Sequence, residues 1–322
     1  MKNKKYQKLM INVAIAVVVY ILVMVTIQFG LVGRQMLSLI VPVCTNVMLA
    51  VSLCLIVGFL GELTLGHAGF MSIGAYAGAL VTINAPLPGW LALVLGLIVG
   101  GMVAAVAGVV IGMPVLRLRG DYLAIVTLGF GEIIKSIFNT IGITGGARGL
   151  SGIKPMTNYK NFTLVYILTL IVIIVTANLV KSRQGRAICA IRDNYIAAEA
   201  AGINVSRFKV MAFVISAFFA GVAGVVYAHN IGILKPGNFD YNTSIEILVM
   251  VVLGGMGSIR GSIIAAVILT LLPELLRSVA DFRMLVYAIV LIAMMLFNNS
   301  KFKAMLLDRR NMRRADKVSK EA

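Results

Sequence analysis

Uncharged apolar runs as long as a bilayer is thick recur along this chain. Leu9 to Ile27, Met36 to Phe59 and Phe162 to Val180 each pass without a Lys, Arg, Asp or Glu. At 1.5 Å of rise per residue, about 20 such residues let one helix cross the hydrocarbon. In that medium every backbone N–H and C=O must be satisfied within the protein, which restricts long apolar spans to helices. Of the 322 residues, 60% are hydrophobic and only 13% charged, and the mean hydropathy is +0.98. A soluble domain could not hide so much apolar surface. The expected fold class is an all-α polytopic membrane protein.

The net charge of +17 points to membrane lipid and not to nucleic acid. The Lys and Arg residues gather at span ends and at the termini, which is the positive-inside distribution. That bias orders the spans. Residues 1–8 form a basic head, and Leu9 to Ile27 is too long for a signal peptide and is followed by no small-x-small site, so an uncleaved first span is expected. Arg34 falls in an outer turn, and the second span, 36–59, carries Pro42 near its start. Gly61 to Tyr76 (GELTLGHAGFMSIGAY) interrupts the hydropathy before a third span ending near Ile83. Glycine-rich backbone at membrane depth is tolerated only where protein covers it or a cavity lies beside it.

Pro86, Pro88 and Gly89 make a turn, and Trp90 anchors a fourth span over about 90–113. Arg117 and Arg119 mark the inner side, and Asp121 is expected as N-cap of the fifth span, which carries Glu132. The glycine-rich stretch 142–161 is assigned outside and the sixth span is 162–180. The seventh covers about 208–228 with the small-residue run AFFAGVAG, and His229 to Thr243 is expected as an outer loop. The eighth begins near Glu246 and ends in GGMGSIRGS, the ninth covers about 262–276, and Arg277, Asp281 and Arg283 fill an outer turn. The tenth, 284–297, leads to a basic tail over 301–322. About ten spans (eight to ten) in one domain, 1–300, with both termini cytoplasmic, keep most Lys and Arg inside. The glycine-rich breaks at 61–74 and 254–261 suggest two related halves, as in internally duplicated transporters.

The longest polar interruption is Lys181 to Lys209, KSRQGRAICAIRDNYIAAEAAGINVSRFK. It holds six Lys and Arg against Asp193 and Glu199 and is placed on the cytoplasmic side. Within it lies a short helix signal: Asp193 or Asn194 as N-cap, then YIAAEAA, then Gly202 as the stop with Ile203 beyond it. A capped helix between spans on the basic side reads as a docking knob; an amphipathic linker lying on lipid headgroups is the alternative.

No enzyme pattern is present. The stretch 142–152 lacks the Gly-Lys-Ser/Thr ending of a phosphate loop, and GGMGSIRG does not match a dinucleotide fingerprint. The three cysteines are expected as free thiols, since Cys44 and Cys54 would lie roughly 15 Å apart along one helix. No metal and no cofactor is expected. Ionisable groups within spans are costly and are therefore candidates for the translocation path. Glu132 is the foremost, and pairing with Lys135 or a neighbouring helix is its structural alternative. Glu62 and His67 frame the broken segment, His67 being equally suited to tie down freed backbone. Glu246 fits either the path or the outer end of its span.

Five segments in order carry a resemblance: LGHAGFMSIGAY (65–76), LRGDYLAIVTLGFGEI (118–133), TGGARGLSGI (144–153), GRAICAIRDNYIAAEAAGI (185–203) and LGGMGSIRGS (253–262). Together they resemble the M-type permeases of branched-chain amino acid ABC transporters, over roughly residues 35–290. The resemblance implies an importer permease working by alternating access, without ATPase activity of its own. It also implies an H-type sister permease, two cytoplasmic ATPase subunits and an extracytoplasmic substrate-binding protein delivering leucine, isoleucine or valine. The implied ATPase-coupling residues are Arg192, Asp193, Asn194, Glu199, Ala200 and Gly202. Tyr195 departs from the acidic residue of RDNE-like versions. Urea permeases share much of the pattern, and ribose-type permeases share the architecture. A bacterial cell membrane is the implied location. An ion-coupled secondary transporter is the rival from another class, but it would need midplane charges and no docking knob.

Overall fold

In the computed structural model the described residues are 2–29, 33–118 and 120–275, with Ile289 and Ile292 beyond them. The expected tenth span and the basic tail lie outside the described residues, apart from those two positions. Among the described residues twelve α-helices follow in order: α1 (Lys2–Gln28), α2 (Arg34–Ser38), α3 (Ile40–Cys54), α4 (His67–Asn84), α5 (Gly89–Val115), α6 (Asp121–Thr140), α7 (Phe162–Lys181), α8 (Arg183–Asp193), α9 (Tyr195–Ala200), α10 (Val205–Ile231), α11 (Tyr241–Gly254) and α12 (Ile259–Leu275). α3 runs on as a π-helix, Leu55–Leu60. Among the described residues no strand forms, and one antiparallel bridge joins Leu150 to Leu234 across two loops.

Five of these helical segments are long and apolar enough to cross a bilayer: Gln35–Leu60, Gly89–Val115, Asp121–Thr140, Phe162–Lys181 and Val205–Ile231. Gln35–Leu60 is the most enclosed, with 78% of its apolar window buried, whereas the α6 and α7 windows are only 22% buried. The second span is thus the central post, and α6 and α7 present apolar faces outward.

α10 stands against that post, and α4 and α5 pack on α10 and on each other at backbone contact. A Cβ on Gly100 would stand 2.7 Å from the Gly74 carbonyl oxygen, and one on Gly221 would stand 2.8 Å from that of Gly100. Gly74 faces Gly221 directly, with no room for any side chain. Lipid tails are as apolar as leucine, so close van der Waals contact between small residues drives such crossings. The AFFAGVAG run supplies this face of α10.

The second glycine-rich break meets the end of the second span. Gly58 of the π-helix, just before the first break, lies against Gly257 of the turn joining α11 to α12; a Cβ on Gly58 would be 2.9 Å from the Gly257 Cα. The first break is shorter than the expected 61–74: it covers 61–66, and Gly69 and Gly74 lie within α4.

Four further expectations need correction. Gly120, not Asp121, is the residue flanking α6, and Asp121 begins the helix. His229 lies inside α10, fully buried, with its Nε2 3.0 Å from the Thr82 hydroxyl. The polar stretch 181–209 is not one loop around one helix. It contains the eleven-residue α8, and α10 already starts at Val205, which draws Lys209 into the bundle. Glu246 does not open its helix, because α11 begins at Tyr241 with Asp240 as N-cap.

Candidate functional site

Local side-chain chemistry shapes the polar stretch. The Ser182 hydroxyl caps α8 by accepting from the Gly185 N–H at 3.1 Å, and the Asn204 carboxamide caps α10 by accepting from the Arg207 N–H at 3.0 Å. Gly185, Ile188 and Ile191 form the buried stripe of α8. Asn194 is the N-cap of α9, its Oδ1 accepting from the Ala197 N–H at 3.1 Å.

The far end of α9 closes in a Schellman motif. The Ile203 N–H donates to the Ala198 carbonyl at 3.0 Å and the Gly202 N–H to that of Glu199 at 2.9 Å, with Gly202 at φ +83°. These are the bonds that satisfy the last carbonyls of a helix ending in a left-handed residue. Ala198 packs inward, while Glu199, Ala200 and Ile196 face out, Ile196 at 63% exposure. A six-residue helix presenting a bare isoleucine beside alanine and glutamate is a compact projecting knob.

Arg192 and Asp193 act differently from their neighbours. The Arg192 Nε and Nη2 donate to the Asp193 Oδ1 at 3.1 and 2.8 Å, and its Nη1 donates to the Gly58 carbonyl at 3.1 Å. Arg192 therefore turns back toward the end of the second span.

The candidate path residues occupy two separate places. At the first break Glu62 forms a buried ion pair with Lys209 of α10, the side chains 13% and 10% exposed. His67, fully buried at the start of α4, places its Nε2 2.8 Å from the Ser52 hydroxyl, and the Ser216 hydroxyl donates to the Ser52 carbonyl at 2.6 Å. Free N–H groups around the start of α4 are met by other helices: Leu65 N–H donates to the Thr127 hydroxyl at 3.0 Å, and Ala68 N–H to that of Ser244 at 3.1 Å. The break is tied down on three sides.

Glu132 lies elsewhere. Its Oε2 accepts from Lys135 Nζ at 3.1 Å and its Oε1 from the Tyr241 N–H at 3.1 Å, the side chain 37% exposed. Both structural alternatives read from the sequence hold at once: Glu132 pairs within its helix and receives an unsatisfied N–H from the start of α11. Beside it Asp240 caps α11. Partial burial works against its charge, but hydrogen bonds from the Thr243 N–H, the Asn242 side chain and the Thr243 hydroxyl, with Lys135 nearby, hold its carboxyl below the usual carboxylate range. Glu246 is exposed on α11.

The four path candidates do not converge on one site. Lys209, Ser52, Thr127 and Ser244 carry the polar contacts at the break; Lys209 reads from sequence only as the end of the basic stretch, and the three hydroxyl residues were not singled out. Their only signals are a lysine five residues inside an apolar helix and isolated hydroxyls on apolar stretches. Among the described residues no group of three or more His, Cys, Asp or Glu could hold a metal ion.

Comparison with known proteins bears on this arrangement. Residues 35–297 match the family model described as branched-chain amino acid transport system / permease component. The chain belongs to this family. Among curated members, the high-affinity branched-chain amino acid transport system permease protein LivM of Salmonella typhimurium is 36% identical over 299 residues, covering 83% of this chain and 69% of that protein. LivM of Escherichia coli K12 is 37% identical over 283 residues, covering 78% of this chain and 66% of that protein. The chain thus spans about two thirds of the length of these relatives. The permease protein LivH of Escherichia coli K12 is 26% identical over 263 residues, covering 75% of this chain and 85% of LivH. No solved structure matches the chain. The matched region takes in the second span, both breaks, α8 and α9.

Proposed function

We propose that this chain is the M-type permease subunit of an ABC importer that carries leucine, isoleucine and valine across a bacterial cell membrane. The observation that carries the reading is the family match over 35–297, which includes a capped, outward-facing helix flanked by basic residues. In this reading 1–300 form one permease domain of about ten spans, 301–322 form a basic cytoplasmic tail, and both termini are cytoplasmic. The sister permease is of the H type.

ATP is hydrolysed by two separate cytoplasmic subunits, and an extracytoplasmic binding protein delivers the amino acid. Asn194, Glu199, Ala200 and Gly202 shape and present the knob that seats in an ATPase, and Arg192 and Asp193 join the knob to the end of the second span. Closure of the ATPases pushes on α9, and α8 carries that push to the two glycine-rich breaks. The tight α4–α5–α10 packing moves as a unit. Glu62, His67, Glu132 and Glu246 are the candidates for the translocation path; the contacts of Glu62, His67 and Glu132 also join elements that rearrange as access alternates.

Affinity purification from native membrane, with identification of the retained subunits, tests the assignment. A second permease and ATPase subunits are expected at stoichiometric levels. Recovery of the chain alone, or of a homo-oligomer without ATPase, contradicts it.

A further inference from the structure

The α8 C-terminus sits in a notch made by Gly58 of the π-helix and by Gly61 and Gly257 of the two breaks. The Arg192 stem lies over Gly61, where an added Cβ would come within 2.6 Å of Arg192 Cγ, and its Nη1 is 3.4 Å from where a Cβ of Gly257 would stand. Its Nη1 donates to the Gly58 carbonyl at 3.1 Å. Gly58 belongs to the last turn of the π-helix that ends at Leu60, where carbonyls lack an intrahelical donor and a cation is favoured. One side chain thus satisfies the end of the second span and lies beside one glycine of each break, Gly61 and Gly257.

The other side of the fork is fixed to the knob. Arg192 Nε and Nη2 grip Asp193, and the next residue, Asn194, is the cap of α9. Arginine offers several donors in a rigid planar fork, so it can hold two partners at a set angle; lysine, a single flexible point charge, cannot. α8 is anchored along its length by Ile188 and Ile191, so a displacement of α9 reaches Arg192 as a shift of a stiff element.

We infer that Arg192 is a positioning residue that couples movement of the α9 knob to the end of the second span at Gly58 and to the glycine breaks at Gly61 and Gly257. It acts inward, on the membrane segments, and not as part of the surface that binds the ATPase. The inference rests on the docking role proposed for α9.

The test uses the whole transporter, with sister permease, ATPases and binding protein, reconstituted in proteoliposomes. Retention of the ATPases and the number of ATP hydrolysed per leucine imported are measured together. For Arg192→Ala, the ATPases are expected at wild-type stoichiometry, with hydrolysis continuing and import per ATP falling about tenfold, as suits one lost charged hydrogen bond. Arg192→Lys keeps the charge and most of the stem over Gly61 but lacks the fork, and a smaller fall in the same ratio is expected. An unchanged ratio in Arg192→Lys overturns the inference, even if Arg192→Ala does not fold. Loss of ATPase retention in a folded Arg192→Ala also overturns it, by placing the residue in the docking surface. If the wild-type chain retains no ATPase, the docking reading itself falls and the inference with it.

Discussion

Gly202 holds φ +83° with nothing within 4 Å of where its Cβ would stand, so a side chain there meets backbone strain and no clash. The cost for an L-residue in this region is roughly 1–2 kcal/mol, worst for a β-branched one. Gly202→Val should therefore leave membrane levels near normal while weakening ATPase retention and import. Gly202→Asn should do far less harm, because asparagine tolerates the left-handed region. Quantified co-purification of the two variants checks this; equal retention in Gly202→Val and wild type would show that the Schellman end of α9 has no part in docking. Glu62 and Lys209 make the opposite kind of site, a pair hidden from solvent. Removing one partner leaves an uncompensated charge, which costs about 3–5 kcal/mol, whereas removing both together is often tolerated. Thermal unfolding in detergent should show Lys209→Met well below wild type and Glu62→Gln/Lys209→Met partly restored. Additive losses would mean that the two groups do not depend on each other.

At the scale of elements, the α4–α5–α10 crossing depends on absent side chains. A Cβ on Gly221 would lie 2.6 Å from the Ala104 Cβ, so Gly221→Leu must part the helices, and overpacking of this kind costs about 1–3 kcal/mol or more. Gly237 has open space around it, and Gly237→Ala should be silent in the same unfolding assay. Similar melting of both variants would contradict the close crossing. These elements also divide what a sequence can reveal from what it cannot. The α9 boundaries, a cap at Asp193 or Asn194 and the glycine stop were legible because capping is local, written within ten residues; the structure decides for Asn194. α8 was not, since its apolar stripe is only Gly185, Ile188 and Ile191 within a basic stretch that reads as linker. His229 was read as loop because a histidine near Pro236 and Gly237 resembles one; Thr82, its partner, is 147 residues away. The Glu62–Lys209 pair is equally distant in sequence. Neither the π-helix nor the meeting of Gly58 with Gly257 leaves any periodic trace.

For the molecule as a whole, the apolar runs gave the class and the basic clusters an orientation, while the partners are implied by family membership and the knob. In a background with Cys44, Cys54 and Cys189 replaced, single cysteines at Ser182 and Ser151 should label from opposite faces of the membrane. Labelling from one face would break the proposed span order. The permease reading as a whole is tested most directly by transport. The chain, co-reconstituted with its sister permease, ATPases and binding protein, should import radiolabelled leucine only when ATP is supplied on the ATPase side. Isoleucine and valine should compete, and ribose and urea should not. ATP-independent leucine flux driven by an ion gradient, or ATP-dependent import that ribose or urea abolishes while isoleucine and valine do not, would contradict it.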